Sequence, residues 1–503
     1  MQNSLTQSIR SGLLWNFGSQ IMIRILSLGV GIMTARILTP EDFGIVAVAM
    51  VVWQMIALLG QMGLGAKLIQ QRKNVAEYAN ATFWLNLLVN TTIALLAVVL
   101  SPLAAKFYDN PATTRIIQVL AIGFILSAFG NTHSTLLQKK MAFKTLSTLD
   151  VSLTLLKILI TVSMLLAGFG FWSLILPGLF KHPFRIIALW KFEPWRPRLH
   201  LGIEHWRDIF KFGKFILGTT IVRYLNINGD FLIIGKVLGT ASLGLYKFGY
   251  GLANWPVENI VWIFSRVMFP AFAHLQNDIK EMQRLYLRVV ETLSIVSFPL
   301  LIGLLSVADL LIPAVYGDKW RPAVLPLKII IVFTTVRTIS SLGGQILMAL
   351  GQPGKEFKMN ACQVIPLLTA VYIGSRFGIV GVAAGMSAVL SGFAIWFLVI
   401  TNKAIDLSIK HLIKAVLPAL VSSGVLYMVV FLFLRWTATT QFGVYEVLAI
   451  SVCIGAAAYV LFMLIFFRET SKRFVSQCRQ VFASIGLSSR LGRMRVQKPK
   501  PIS

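Results

Sequence analysis

Apolar residues run along this chain in blocks of about twenty, separated by short polar turns, from near the N-terminus to the region of Arg468. A helix of that length is about 30 Å long, the thickness of the hydrocarbon core of a bilayer. The blocks predict about fourteen transmembrane helices. Their cores start near Leu13, Phe43, Ala81, Arg115, Thr148, Phe171, Phe212, Leu243, Val289, Val324, Asn360, Ile379, Ile413 and Tyr445. Inside several blocks the polar residues recur at helical spacing, so each set forms one stripe on an otherwise apolar helix. The first helix carries Asn16, Gln20, Arg24 and Ser27, and the fifth Asp150, Thr154, Lys157 and Thr161. The seventh carries Thr219, Arg223, Asn226 and Asp230, and the tenth Thr334, Arg337 and Ser341. The eighth adds Lys247, Asn254, Glu258 and Ser265, with Arg266 near its far end.

Composition makes the same point for the whole chain. Of 503 residues 56% are hydrophobic and only 13% charged, and the mean hydropathy is +0.75, values that belong to an all-α polytopic membrane protein. The segment "MQNSLTQSIRSGLLWNFG" lacks a small-residue cleavage site, so its apolar run is expected to be a retained helix. Cys362, Cys453 and Cys478 have no disulfide or metal-ligand spacing and are expected to be packing residues.

The net charge of +28 is the feature that invites a nucleic-acid reading. Its distribution argues otherwise. With the N-terminus in the cytoplasm, roughly 32 of the 47 Lys and Arg fall in inside loops and the tail and about 8 outside, the bias that sets topology in polytopic proteins. The excess is accounted for by topology and anionic headgroups. An even helix count places both termini in the cytoplasm.

Two outer turns are related. "TARILTPEDFGIVA" from Thr34 and "IGKVLGTASLGLYK" from Ile234 align at a constant offset, pairing Arg36 with Lys236, Leu38 with Leu238 and Gly44 with Gly244. "LLQKKMAFK" at Leu136 and "ALGQPGKEFK" at Ala349 form a weaker echo. Six helices separate the copies, so the halves share one orientation. The expected organisation is an N-lobe with its basic linker (1–213), a C-lobe (214–403), two further helices (404–467) and a basic cytoplasmic tail (468–503). Either the related turns are interfacial connectors, or they meet as an outer gate in which Arg36, Glu41, Asp42 and Lys236 take part.

Ionisable groups inside a bilayer cost about 2.5–3.5 kcal/mol each at the helix centre and are usually functional. Arg24, Lys157, Arg223, Lys247, Arg266 and Arg337 thus point to a cationic central cavity shared by both lobes, suited to an anionic substrate. The competing reading is a set of structural ion pairs, for example Arg223 with Glu258. Asp230 and Glu258, the carboxylates within the core, are candidates either for coupling to H+ or Na+ or for structural pairing.

The two outer turns, "GQMGLGAKLIQQRK" at Gly60, "FKFGKFILGTTIVRYLNINGDFLIIGKV" before Leu238 and above all "SRVMFPAFAHLQND" at Ser265 resemble the polysaccharide-transporter family. They are nearest to its colanic-acid-exporter branch of Wzx-type flippases, within the multidrug/oligosaccharidyl-lipid/polysaccharide superfamily. The resemblance covers about Ser11 to Lys403. It implies two six-helix bundles plus two C-terminal helices, alternating access, and export of undecaprenyl-diphosphate-linked oligosaccharide across the inner membrane without a cofactor. Membrane lipids, a glycan polymerase and export machinery are the partners it implies. Related lipid II flippases carry cavity arginines on the first, second and eighth helices; Arg24 and Arg266 match two of these, and the second helix here has none. Three rivals are less well supported. A multidrug antiporter would line its cavity with carboxylates and aromatics, a polymerase or glycosyltransferase would need an acidic metal motif or a large outer loop, and a lipid scramblase would need no closed cavity.

Overall fold

The computed structural model describes residues 22–58, 64–71, 73–199, 201, 203, 206–437, 442–477 and 479. All regular elements among them are helical, since backbone polar groups in hydrocarbon must be satisfied within their own segment. The helices are α1 (residues 22–37), α2 (Pro40–Ala57), α3 (Leu64–Gln70), α4 (Val75–Phe107), α5 (Ala112–Lys139), α6 (Phe143–Leu166), α7 (Trp172–Phe192), α8 (Trp206–Val237) and α9 (Gly239–His274). They continue with α10 (Ile279–Leu311), α11 (Val324–Ser340), α12 (Gly343–Ala349), α13 (Pro353–Ser375), α14 (Gly378–Ala404), α15 (Ile409–Thr437), α16 (Val444–Phe466) and α17 (468–477). Among the described residues nine spans combine the length and apolarity needed to cross a membrane. The other five of the fourteen expected from the sequence are α1, described only from residue 22, and α7, α8, α9 and α13, which carry charged residues.

The helices gather into two compact units. The first comprises the described residues up to Asn254 together with Leu311–Phe333 and Gln352–Phe393. In it α5 packs on α4 and α7, α6 on α7, α2 on α5 and α8, and α8 on α13. Apolar side chains fill the seams: Ala49, Ile116 and Ile175 join α2, α5 and α7, and Leu137, Leu149, Leu153 and Leu189 join α5, α6 and α7. The basic segment after α7 is strapped to its own unit. Buried Glu193 pairs with Lys140 at 2.7 Å, Arg196 lies 5.1 Å over the Trp190 ring, and Trp84 donates to the Arg198 carbonyl at 2.7 Å.

The second unit comprises Trp255–Leu310, Thr334–Gly351 and the described residues from Ala394. Here α15 and α16 pair closely at Gly455, where a β-carbon would meet Val430 and Leu426. Gly343 likewise leaves no room for a β-carbon against Phe397 and Thr401. Tyr459 of α16 donates to the Ile295 carbonyl of α10 at 2.9 Å. Arg473 of α17 bonds Glu291 of α10 at 3.3 Å.

Turn geometry repeats between α1–α7 and α8–α14. Leu38 N–H donates to the Thr34 carbonyl at 2.8 Å, and Leu238 N–H to Ile234 at 2.9 Å. After Tyr108 the chain turns through Asp109 at φ 51°, and after Tyr316 through Gly317 at φ 102°. Gly170 and Gly378, each following a phenylalanine, have φ of 56° and 71°. Met141 and Gly351, at φ 57° and 71°, close α5 and α12 in the same way. This last pair gives the weaker echo its register: Phe143, first residue of α6, and Pro353, first residue of α13, each lie two residues after the turn. The cysteines are corrected. Cys362 and Cys453 are exposed on their helices rather than packed, and Cys478 lies outside the described residues.

Candidate functional site

The two related turns meet, and each charge in the first has a specific partner. Thr39 caps α2: its hydroxyl accepts from Asp42 N–H at 3.2 Å while the Asp42 carboxylate accepts from Thr39 N–H at 2.9 Å, a capping box with Pro40 as first helical residue. Asp42 thus serves its own helix. Glu41 instead reaches the second turn and accepts from the Thr240 hydroxyl. Arg36 donates to the carbonyls of Val315, at 2.6 Å, and Ala314. Both carbonyls belong to the π-helical turn, Ile312–Tyr316, that ends α10 and is followed by Gly317 in a backbone conformation that favours glycine. A cation at a helix C-terminus also complements the helix dipole. The contact is returned from the other side, since Lys319 donates to the Arg36 carbonyl at 2.7 Å and the Trp320 indole to Ala35 at 2.9 Å. Trp320 is fully buried, stacked on Phe248 at 4.1 Å and edge-on to Phe43 at 5.0 Å. Lys236, the counterpart of Arg36, pairs with Asp109 at 3.2 Å.

Helices α2 and α9 cross here on two glycines. A methyl group added to Gly44 would overlap the Thr240 carbonyl, and one added to Gly244 would overlap the Pro40 carbonyl. The equivalent residues of the two repeats are thus the points of closest approach, and each faces the other's turn.

The mid-helix stripes separate into clusters. On α6, Asp150 binds Arg185 of α7 at 2.6 Å, and Lys157 is exposed about two turns further along. On α8, the Asn226 amide donates to the Asn360 carbonyl at 2.7 Å and accepts from Gln363 at 3.2 Å, tying α8 to α13. Arg223 is exposed, within electrostatic reach of Glu356. Asp230 is buried between α8 and α9, where it accepts from the Tyr246 hydroxyl at 3.0 Å and from Phe231 N–H at 2.9 Å. Lys247 lies near it, 5.5 Å over the Phe231 ring. In the second unit Glu258 of α9 stands 4.0 Å from Arg337 of α11, so its charge partner is Arg337 rather than Arg223. Arg24 is half-buried on α1. Asn16, Gln20 and the side chains of Ser265 and Arg266 lie outside the described residues.

Sequence reasoning passed over Lys181, His182 and Arg185. They sit in the interior of α7 around Pro183, and Lys181 and Arg185 fall on one helical face. Lys181 is within electrostatic reach of Lys157, Arg185 and Asp150. The signal was present as the only "KHPFR" in the chain.

Comparison with known proteins supplies the family. Residues 33–325 match the sequence profile of the family described as "Polysaccharide biosynthesis protein". The chain is 27% identical over 95% of its length to the teichuronic acid biosynthesis protein TuaB of Bacillus subtilis (strain 168), covering 99% of that protein. It is 28% identical over 76% of its length to the lipopolysaccharide biosynthesis protein WzxC of Escherichia coli (strain K12), covering 78% of it. In fold it is similar to the lipid II flippase MurJ in an inward closed conformation, with a TM-score of 0.72 at 15% identity, covering 91% of this chain and 99% of the other. With more than half its length matched by the profile, the chain belongs to the polysaccharide biosynthesis protein family.

Proposed function

We propose that this protein is a flippase that moves an undecaprenyl-diphosphate-linked oligosaccharide, the repeat unit of an exopolysaccharide, O-antigen or capsule, from the cytoplasmic to the outer leaflet of the bacterial inner membrane. The observation that carries the reading is the charge of the helix interiors: Arg24, Lys157, Lys181, Arg185, Arg223, Lys247 and Arg337 outnumber Asp150, Asp230, Glu258 and Glu291. An excess of cations at membrane depth suits an anionic cargo and disfavours the cationic substrates of a multidrug antiporter. The names of the relatives, the fold shared with a lipid II flippase and the family membership support it.

In this account the diphosphate and any acidic sugars are drawn to the helix-interior cations, Arg24, Lys157, Arg223 and Lys247 in the first unit and Arg266 and Arg337 in the second, while the polyprenyl tail stays in lipid. Polar groups then avoid bare hydrocarbon, the main barrier to unassisted flipping. No covalent step is required. The joined outer turns are the closed outer gate, with Arg36, Glu41 and Lys236 as its polar latches and Asp42 as the cap that shapes it. Asp230 and Glu258 are the carboxylates on which H+ or Na+ coupling would act. The positive-inside bias supports cytoplasmic termini, and a glycan polymerase and export machinery are the partners that would take up the product.

The test is depletion of the protein in its native cell. Carrier-linked repeat units should accumulate, sealed spheroplasts should lose labelling by an impermeant glycan-binding reagent, and total repeat-unit synthesis should continue. Loss of synthesis itself, or unchanged surface labelling, would overturn the proposal.

A further inference from the structure

We infer that α6 and α7 form a second anion-binding recess, contained within the first repeat, that holds an oxyanion of the cargo through Lys157, Lys181 and Arg185. The inference rests on the flippase reading. Lys157 is 14 residues from the first residue of α6 and 9 from the last, so it lies about 14 Å from the nearer helix end. Lys181 is 9 residues into α7, which places it at about the same depth. A lysine stem spans about 6 Å, too short for either ammonium to reach the interface by snorkelling. Both would therefore need water or a ligand at mid-membrane.

Protein groups do not neutralise this site. Asp150 is the carboxylate that acts on Lys181 among the described residues, and it is already bonded to Arg185 at 2.6 Å. Neither the Lys157 nor the Lys181 ammonium has a hydrogen-bond or ion-pair partner among the described residues. His182 turns the other way, toward Gly123 of α5, and Phe180, Phe184 and Ile187 form a separate exposed apolar face. There is also room. Gly178 sits one turn before Lys181 on α7, and a β-carbon built on it meets nothing within 4 Å. Three cations against one carboxylate, beside open space and each well inside its helix, make a site for phosphate or carboxylate oxygens. Arg185, held by Asp150, supplies a planar donor set of fixed orientation, and the two lysines supply adaptable point charges.

The ligand oxyanion has two possible sources, the diphosphate of the lipid carrier and the carboxylate of an acidic sugar. Farnesyl diphosphate and digalacturonate are therefore the probes, measured by thermophoresis on the full-length protein in nanodiscs. For the probe that occupies the recess, Lys181→Gln should weaken binding about tenfold, the usual effect of losing one charge-assisted hydrogen bond. Gly178→Leu, which fills the space and leaves every charge in place, should do the same, so a folding defect in one variant does not decide the matter. Lys144→Gln, at the exposed end of α6, should change nothing. The probe that responds identifies the source. If Arg223→Gln and Arg337→Gln weaken binding while both α6–α7 changes leave it as in the wild type, the recess is refuted and the flippase reading stands. If the wild-type protein binds neither probe, both fall.

Discussion

Substitution of Gly244 by alanine tests whether the outer turns open and close. The added methyl would overlap the Pro40 carbonyl, a backbone atom at the first turn of α2 that cannot rotate aside. The two helix ends must move apart to admit it. Overpacking of this kind costs about 1–3 kcal/mol, and the cost falls only on the state in which the turns are joined. The ratio of joined to open states should therefore drop by about 5- to 150-fold. Ala35 reports on the change: it is 1% exposed, beneath the Trp320 indole that donates to its carbonyl. A cysteine at position 35, in a background free of Cys362, Cys453 and Cys478, reacts with an impermeant maleimide only when the turns part. Its labelling rate should rise at least fivefold with Gly244→Ala and equally with Gly44→Ala. The double substitution should give less than the product of the two, because both act at one crossing. A labelling rate unchanged by either substitution in well-folded protein would show that the crossing is a fixed structural joint.

Two further outcomes follow from the same geometry. Single cysteines at Glu41 and at Ala241 should be labelled from the periplasmic side of intact cells; labelling only from everted vesicles would reverse the topology. Met141→Gly should raise the thermal stability of the purified protein, since a side chain at φ 57° costs about 1 kcal/mol that glycine relieves; a lower melting temperature would mean that the exposed Met141 side chain contributes packing that outweighs the strain.

The helices, the stripes and the relation between the Thr34 and Ile234 turns were legible because they are local: apolar periodicity, polar residues at helical spacing and a glycine at matching positions. The partner of Arg36 was not. It is the end of α10, set by a π-helical turn far along the chain, and no spacing rule connects them. The register of the weaker echo was not legible, because its two segments differ in length by one residue and the feature they share is the positive-φ backbone at Met141 and Gly351. Lys181 and Arg185 stand four residues apart in one apolar block, but what they face depends on how α6 and α7 pack. The pairing of Glu258 with Arg337 depends on how α9 and α11 pack, which helical periodicity within each does not determine.

The charge of the helix interiors is the centre of the account, and a substitution series at Arg223 and Arg337 tests it most directly. Export should be read as surface glycan labelled on sealed spheroplasts, at matched membrane expression. Lysine at either position should keep partial export, since it retains the charge but loses the two-pronged geometry of arginine. Glutamate should abolish it, because a carboxylate in a site of low effective dielectric repels the diphosphate. For Arg337 the exchange Arg337→Glu with Glu258→Arg restores the local ion pair and separates structural damage from loss of cargo binding. Folded Arg223→Glu and Arg337→Glu proteins that export at the normal rate would contradict the cationic-cavity mechanism; loss of export in both, with lysine intermediate, is the result it predicts.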